Sequence, residues 1–226
     1  MSIAAAFFAV LTISAAWWLL RQGLLTKPWL EEGPIRSLPG AGGPPPPAAK
    51  LGLWMFLAVV GSLFALLLSA YSMRLGMADM GIAGVRPLPV PSILWLNTGL
   101  LVLSSAALEW ARSATRQGRM DGVRLGLLAG AVLAFAFLQG QLLAWQQLRA
   151  EGYFLVTDQA SAFFYLISGV HGLHLLGGVA AMARAVARIR HGAGLAQVRL
   201  SVGLCATYWH FLLLVWLLFF TMLLLA

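Results

Sequence analysis

The segments that decide the fold are Ser161-Ala-Phe-Phe-Tyr165-Leu-Ile-Ser-Gly-Val-His171-Gly-Leu-His174-Leu-Leu-Gly177-Gly178 and Thr207-Tyr208-Trp209-His210-Phe211-Leu-Leu-Leu-Val-Trp216-Leu-Leu-Phe219. Each lies in a run of mainly apolar residues longer than the ~18 that a helix needs to cross a hydrocarbon layer about 30 Å thick. Histidine rings at that depth are expensive to expose to lipid, so we expect them to face other helices. This pair of helices is therefore where function should be sought.

The composition is that of an integral membrane protein. Apolar residues make up 61% of the chain and charged residues 10%, whereas soluble domains carry about 25% charged residues. The net charge of +8 does not indicate nucleic-acid binding, because the basic residues are scattered through short loops between apolar runs. The single cysteine, Cys205, lies inside an apolar run, which excludes a disulfide framework and a thiolate metal cluster.

Six apolar runs predict an all-α integral membrane protein built as an antiparallel bundle of six transmembrane helices. Short connections between the last five runs favour antiparallel neighbours. No internal repeat is visible in the sequence, which argues against a transporter built from inverted halves. The runs cover residues 3–20, 51–73, 91–111, 123–148, 160–183 and 200–225.

The chain divides into three predicted parts. Residues 1–21 form the first transmembrane helix, which we interpret as retained because no basic segment precedes it and no small-residue cleavage site follows it. Residues 22–49 are rich in proline and glycine and include Pro44–Pro47, which favours an extended cytoplasmic spacer that carries no chemistry. Residues 50–226 form a membrane domain of five helices.

The distribution of basic residues predicts the orientation in the membrane. The loops after the first, third and fifth predicted helices hold twelve Lys and Arg residues, and the remaining loops hold three. Short cytoplasmic loops carry an excess of basic residues. We therefore expect the proline-rich spacer to lie in the cytoplasm and both termini to lie on the outer side.

Few polar groups lie within the predicted spans. Glu109 is the carboxylate placed at membrane depth, about one turn from the cytoplasmic end of its helix, with Arg112 as a possible partner. We interpret it as a snorkelling interfacial charge and not as a proton relay. Gln139, Gln141 and Gln146 give the next helix a polar face, which we interpret as interhelical hydrogen bonding.

The histidines of the last two spans admit two interpretations. His171 and His174 share a helical face, and a rise of ~1.5 Å per residue places His171 and His210 at similar depths near the middle of the membrane. Two imidazoles arranged in this way can ligate a haem axially. They can equally lock the two helices together by hydrogen bonds, because unpaired polar groups in lipid are costly. The expected partners for such bonds are Tyr165, Ser168, Thr207 and Tyr208.

At these residues the sequence resembles subunit III of the haem–copper terminal oxidases, the cytochrome c oxidase subunit III family. The resemblance covers residues 50–226 and is carried mainly by the two segments quoted above, in that order on the last two spans. Weaker similarity is found in Lys50-Leu-Gly-Leu-Trp54-Met-Phe-Leu, Leu96-Asn97-Thr98, Ser104-Ser105 and Gln141.

The resemblance implies a non-catalytic subunit that binds no metal or haem itself and holds phospholipid between its helices. Its implied partners are the catalytic subunit I, subunit II and membrane lipids, with haem and copper in the partner subunits. Its implied location is an energy-transducing membrane, expected to be a bacterial inner membrane. Structural or lipid-contacting roles are implied for His171, His174, Tyr208, Trp209, His210, Gln141, Trp54 and Asn97.

Three positions depart from the family pattern. The resemblance also implies support of proton uptake by the complex. Apolar Val60, Ala144 and Leu213 stand where the family commonly carries carboxylates, which weakens that part of the implied role. Two alternative functions remain at this point. One is a haem-b membrane anchor that uses His171 or His174 together with His210. The other is an accessory subunit of a nitric oxide reductase or of an alternative quinol-oxidising complex.

Overall fold

Five long α-helices make up the part of the chain that the computed structural model describes, which is residues 48–79, 90–153, 159–191 and 194–225. They are α1 Ala48–Asp79, α2 Ile93–Arg116, α3 Met120–Ala150, α4 Gln159–Arg190 and α5 Leu195–Leu224. Each is long and apolar enough to cross a membrane. The prediction of an all-helical, multi-pass membrane protein is therefore confirmed, with five spans in these residues.

The first of the six predicted helices, over residues 3–20, lies outside the described residues. The same holds for the proline-rich spacer up to residue 47, so the division into helix, spacer and membrane domain stays a prediction. Helix α1 begins at Ala48, two residues inside the predicted spacer.

A glycine ends α2 and turns the chain into α3. Gly118 has a left-handed backbone with φ of 71°, which glycine adopts without a Cβ clash. The next amide, Arg119 N–H, donates to the Ala114 carbonyl oxygen at 3.1 Å and so satisfies an acceptor that the helix end leaves open. The same arrangement recurs at Gly152, after α3, where φ is 87°.

Small residues allow α2 and α3 to pack closely as antiparallel neighbours. A Cβ placed on Gly126 would lie 2.7 Å from the Cβ of Ala111 and 2.9 Å from the carbonyl oxygen of Ala107. Further along the pair, Ser104 Oγ donates to the carbonyl oxygen of Gly130 at 2.8 Å. Close backbone approach and interhelical hydrogen bonds hold helices together in lipid, where the hydrophobic effect between them is weak.

Aromatic rings fill the core around Trp216 in α5. Phe137 of α3 meets Trp216 edge-on with 4.9 Å between ring centroids. Phe164 of α4 lies 6.0 Å from Phe219 of α5. All four rings are buried, and aromatic pairs at these centroid distances are favourable. They keep α3, α4 and α5 in register.

The described basic residues gather at one end of the bundle. Arg199, at the start of α5, donates to the carbonyl oxygens of Thr115 and Arg116 at the end of α2. Arg74 and Arg149 lie at the opposite end, close to the ends of α1 and α3. The basic residues at the first end are Lys50, Arg112, Arg116, Arg119, Arg124, Arg184, Arg188, Arg190 and Arg199. Within the described residues the distribution is as one-sided as the sequence indicates.

Candidate functional site

Polar contacts join α2 to α5 at three positions along the helices, and the middle contact involves His210. At the basic end the link is the Arg199 guanidinium on the two carbonyls of α2. At the other end Trp216 Nε1–H donates to Thr98 Oγ1 at 3.0 Å. Between them, His210 Nδ1 lies 2.5 Å from Ser105 Oγ.

His210 also belongs to a charged cluster on the surface of this seam. Its Nε2 lies 3.3 Å from Glu109 Oε2, and Arg112 Nη1 donates to the same oxygen at 3.3 Å. The side chains of Glu109, His210 and Arg112 are 49%, 42% and 38% exposed. An imidazole, a carboxylate and a guanidinium therefore form a half-exposed group between two membrane-spanning helices.

The interpretation of Glu109 is right about its partner and wrong about its position. The pair with Arg112 is present. However, α2 continues to Arg116, so Glu109 lies about two turns inside the helix end and not one. Its contact with His210 was not expected, because the two residues are 101 positions apart in sequence and no spacing rule connects them.

The expected partners of His210 are also wrong. The prediction placed them on the neighbouring span and its own helix, at Tyr165, Ser168, Thr207 and Tyr208. The ring instead faces α2, where Ser105 and Glu109 meet it. Helical periodicity tells which residues share a face, but not which neighbouring helix that face meets.

His174 and Tyr208 connect α4 to α5 through the backbone. Tyr208 Oη donates to the carbonyl oxygen of His174 at 2.9 Å. The His174 ring lies 2.8 Å from the carbonyl oxygen of Val170 through Nδ1, within its own helix. The ring of Phe64 packs on it at 5.5 Å. His174 therefore has a hydrogen-bond partner, as expected, but that partner is a backbone group one turn away.

His171 contradicts the expectation that each imidazole is hydrogen-bonded. The residue is buried, and neither ring nitrogen has a partner in the described part of the chain. Aromatic rings from three other helices surround it, namely Phe64, Phe137 and Trp216, at 6.2, 5.9 and 5.4 Å between centroids. Among the described residues, the contacts of His171 are therefore with aromatic rings and not with the predicted hydrogen-bond partners.

The predicted equal depth of His171 and His210 is wrong as well. His171 packs against Trp216, whereas His210 precedes Trp216 by six residues on α5, which corresponds to about 9 Å along the helix axis. The two rings also meet different helices, since His210 faces α2. The described residues contain no group of three His, Cys, Asp or Glu side chains that could hold a metal ion.

Two buried amides cross the interface between α2 and α3. Asn97 Nδ2 donates to Gln141 Oε1 at 3.4 Å, and both side chains are buried. Gly140 makes room for them, because a Cβ there would overlap the Asn97 amide. The interpretation of Gln141 as a residue that hydrogen-bonds between helices fits this contact. Gln139 and Gln146 are exposed, so the polar face predicted for this helix is not a buried one.

An apolar groove of about 240 Å³ lies between α1, α4 and α5 near the basic end. It is lined by Leu53, Phe56, Gly177, Ala181, Leu204, Cys205 and Tyr208. Trp209, beside Tyr208, is fully buried against Gly178, whereas Trp54 is partly exposed on α1. Of the sequence-predicted residues, Tyr208 therefore lines the groove and Trp209 belongs to the core.

The contacts that sequence reasoning missed are those of α2 with α5. From the sequence, Arg199 was used only as one of the basic residues that predict the orientation in the membrane, and Ser105 was noted only in the family resemblance. Both pairings become visible once α2 and α5 are known to be antiparallel, because Thr98–Trp216, Ser105–His210 and Thr115–Arg199 follow a single register.

Comparison with known proteins gives a consistent set of relatives. A family model described as cytochrome c oxidase subunit III matches residues 50–225. Cytochrome c oxidase subunit 3 of Thermostichus vulcanus is 32% identical over 176 residues, which cover 76% of this chain and 85% of the relative. Cytochrome bo(3) ubiquinol oxidase subunit 3 of Pseudomonas putida is 33% identical over 177 residues, covering 76% and 82%. Quinol oxidase subunit 3 of Bacillus subtilis is 25% identical over 173 residues, covering 76% and 83%.

Proposed function

Because the chain belongs to the cytochrome c oxidase subunit III family, we propose that it is a non-catalytic membrane subunit of a respiratory haem–copper oxidase. The observation that carries this proposal is the match over residues 50–225, which takes in all five described helices. The named relatives are subunits of cytochrome c and quinol oxidases. They favour an oxidase over a nitric oxide reductase as the parent complex.

The proposed role is to stabilise the catalytic subunit, in an assembly with subunits I and II. Two of the positions where the family commonly carries carboxylates are buried and apolar here, at Val60 and Ala144, and the third is Leu213. A structural role does not depend on membrane acids at these positions.

We propose that haem and copper reside in the partner subunits and that this chain binds no haem. The bis-histidine alternative needs two imidazoles that point at one iron. His171 is enclosed by the rings of Phe64, Phe137 and Trp216. His210 faces α2 and lies about 9 Å along the axis of α5 from Trp216, the residue that His171 packs against. This arrangement does not favour axial ligation by the pair.

The groove between α1, α4 and α5 supports the proposal that the subunit holds phospholipid. Its walls are apolar and suit an acyl chain. Arg184 and Arg188 follow the lining residue Ala181 on the same face of α4, at i+3 and i+7. They therefore lie between the groove and the basic end of the bundle. Arg188 Nη1 donates to Ser201 Oγ at 2.9 Å across this end of the groove. Cationic groups at such a position attract a phosphate headgroup.

The proposed complex is tested by purification through a tag on this chain from its native membrane. We expect a haem–copper catalytic subunit to co-purify, with a haem spectrum that stays with that subunit when the chains are separated. Phospholipid should be recovered with the tagged chain. Deleting the chain should leave initial oxygen reduction in place, because the chain supplies no group to the reaction. Purification without a haem–copper subunit, or a Soret band from the isolated chain, would contradict the proposal.

We also propose a six-helix topology in a bacterial inner membrane, with the basic end of the bundle in the cytoplasm and both termini outside. Exposed Gln117 lies in the turn before α3, and exposed Glu151 directly follows α3, which makes them a matched pair of labelling sites. In a Cys205→Ala background, Glu151→Cys should react with an impermeant thiol reagent added from outside, and Gln117→Cys should react only after the membrane is opened. The reverse pattern would overturn the orientation.

A further inference from the structure

The charged cluster of Glu109, Arg112 and His210 lies at an unusual place for exposed charge. Helix α2 has 24 residues, about 36 Å, and Glu109 lies seven residues before its end, or about 10 Å along the axis. His210 is near the middle of the 30-residue α5. Both side chains are nevertheless almost half exposed, so they stand on the outer surface of the bundle within the membrane-spanning length.

Contact with lipid is energetically unfavourable for this cluster. Ionised side chains inside the hydrocarbon layer are costly and normally face protein or a water-filled cavity. Arg112 has a long side chain and lies nearer the helix end, so it can reach toward the interface. The shorter Glu109 side chain, about 10 Å from the end of α2, has no comparable route.

The cluster also leaves hydrogen-bonding capacity unused. Both contacts of Glu109, with Arg112 and with His210, are made by Oε2. The other carboxylate oxygen, Oε1, makes no hydrogen bond with the described residues, and a carboxylate oxygen accepts strongly. A neighbour that covers this surface is therefore favoured if it brings a donor.

The residues around the cluster are suited to contact with another helix. On α2, Val102, Ala106 and Glu109 follow one another at i, i+4 and i+7, and on α5, His210, Leu214 and Leu217 have the same spacing. We call these six residues the α2–α5 face. All six are exposed, and apart from the charged cluster the face is apolar. It is distinct from the lipid-binding groove, whose lining residues come from α1, α4 and α5.

We propose that the α2–α5 face packs against a transmembrane helix of a partner oxidase subunit, and that this helix offers a hydrogen-bond donor to Glu109. The inference rests on the proposed function, which supplies the partner complex. It goes further by assigning the contact to one face and by specifying the chemistry that the partner presents. Covering the cluster with protein removes charge from lipid and satisfies the free carboxylate oxygen in a single contact.

Photo-crosslinking from single positions tests which surface meets the partner. A benzoylphenylalanine placed at Leu214 probes the α2–α5 face, and one placed at Phe135 on α3 is the matched control. Both residues are exposed, at 52% and 61%. They lie at similar depth, because Phe137 and Trp216 are in ring contact two residues further along each helix. We expect Leu214 to crosslink to an oxidase subunit in native membranes, and Phe135 not to do so.

The other outcomes separate the two proposals. Crosslinks to a partner subunit from Phe135 alone, or equally from both positions, would overturn the assignment of the face and leave the proposed function standing. Adducts from Leu214 with lipid or a second copy of this chain only, in a complex that co-purifies intact, would do the same. If no haem–copper subunit co-purifies with the chain, the proposed function itself fails.

Substitution of Glu109 tests the hydrogen bond. Glu109→Leu removes the acceptor, and we expect the fraction of chain retained in the detergent-purified complex to fall several-fold. Glu109→Gln keeps an acceptor oxygen and should retain more. A role confined to folding would lower the thermal stability of the isolated chain in detergent, whereas we expect Glu109→Leu to leave that stability unchanged. Full retention of Glu109→Leu would overturn the proposal.

Discussion

Replacing Trp216 by alanine is expected to give one of the largest losses of stability in this chain. The indole is 1% exposed, meets Phe137 edge-on, packs on His171 and donates a hydrogen bond to Thr98 of α2. Unfolding within lipid does not expose it to water, so the main cost is the cavity left behind. At ~24 cal/mol per Å³, a cavity on the order of 100 Å³ costs about 2–3 kcal/mol.

The measurement is unfolding of the purified chain in detergent, read as helix loss against denaturant concentration. Trp95→Ala is the matched control, because Trp95 is 60% exposed and its ring contact in the described part of the chain is with Phe220. We expect that control to lose well under half as much stability as Trp216→Ala. Trp216→Phe should lie between them, since it keeps a ring and loses the bond to Thr98. Equal losses for Trp216→Ala and Trp95→Ala would show that the indole is not central to the core.

Gly126→Ala is the second large expected effect, and it acts through overpacking. The added methyl group would lie 2.7 Å from the Cβ of Ala111 and 2.9 Å from the carbonyl oxygen of Ala107. Neither of these atoms is the end of a flexible side chain, so α2 and α3 must move apart. Overpacking of this kind costs about 1–3 kcal/mol, which we expect to outweigh the gain in helix propensity of ~1 kcal/mol.

Gly99→Ala is the control for this prediction. Gly99 lies on α2, the helix that Gly126 packs against, and a Cβ there would meet no atom within 4 Å. We expect Gly99→Ala to be as stable as the unmodified chain or slightly more stable in the same unfolding measurement. If the two glycine substitutions behaved alike, close approach would not be what limits the α2–α3 interface.

The positions of the described helices followed from the sequence to within about two turns. The apolar run predicted over residues 51–73 corresponds to α1, which continues to Asp79. The extra residues include Arg74 and Gly76, which end an apolar pattern but do not break a helix. Hydropathy therefore identifies the part of a helix that is stable in lipid. Backbone hydrogen bonds extend the helix beyond that part.

The candidate site was only partly predictable. Gln141 was correctly interpreted as an interhelical contact, since an amide in a membrane span needs a partner and few are available. The predicted partners of His210 were wrong, although Glu109 had been noted as a carboxylate at membrane depth and Ser105 as part of the family resemblance. The missing information was the register of α2 against α5, which sets Ser105 opposite His210 and Thr98 opposite Trp216.

By itself, the sequence determined that the chain is a helical membrane protein, where its spans lie, how its basic residues are segregated and which family its motifs resemble. These properties depend on residue type and local spacing, because these set the free energy of inserting each segment into lipid. Only the tertiary structure decided that His171 lies among aromatic rings and that His210 joins Ser105 and Glu109 at a half-exposed seam. Those contacts depend on which helices are neighbours and how far each has slid along the other, and close packing between whole helices sets both.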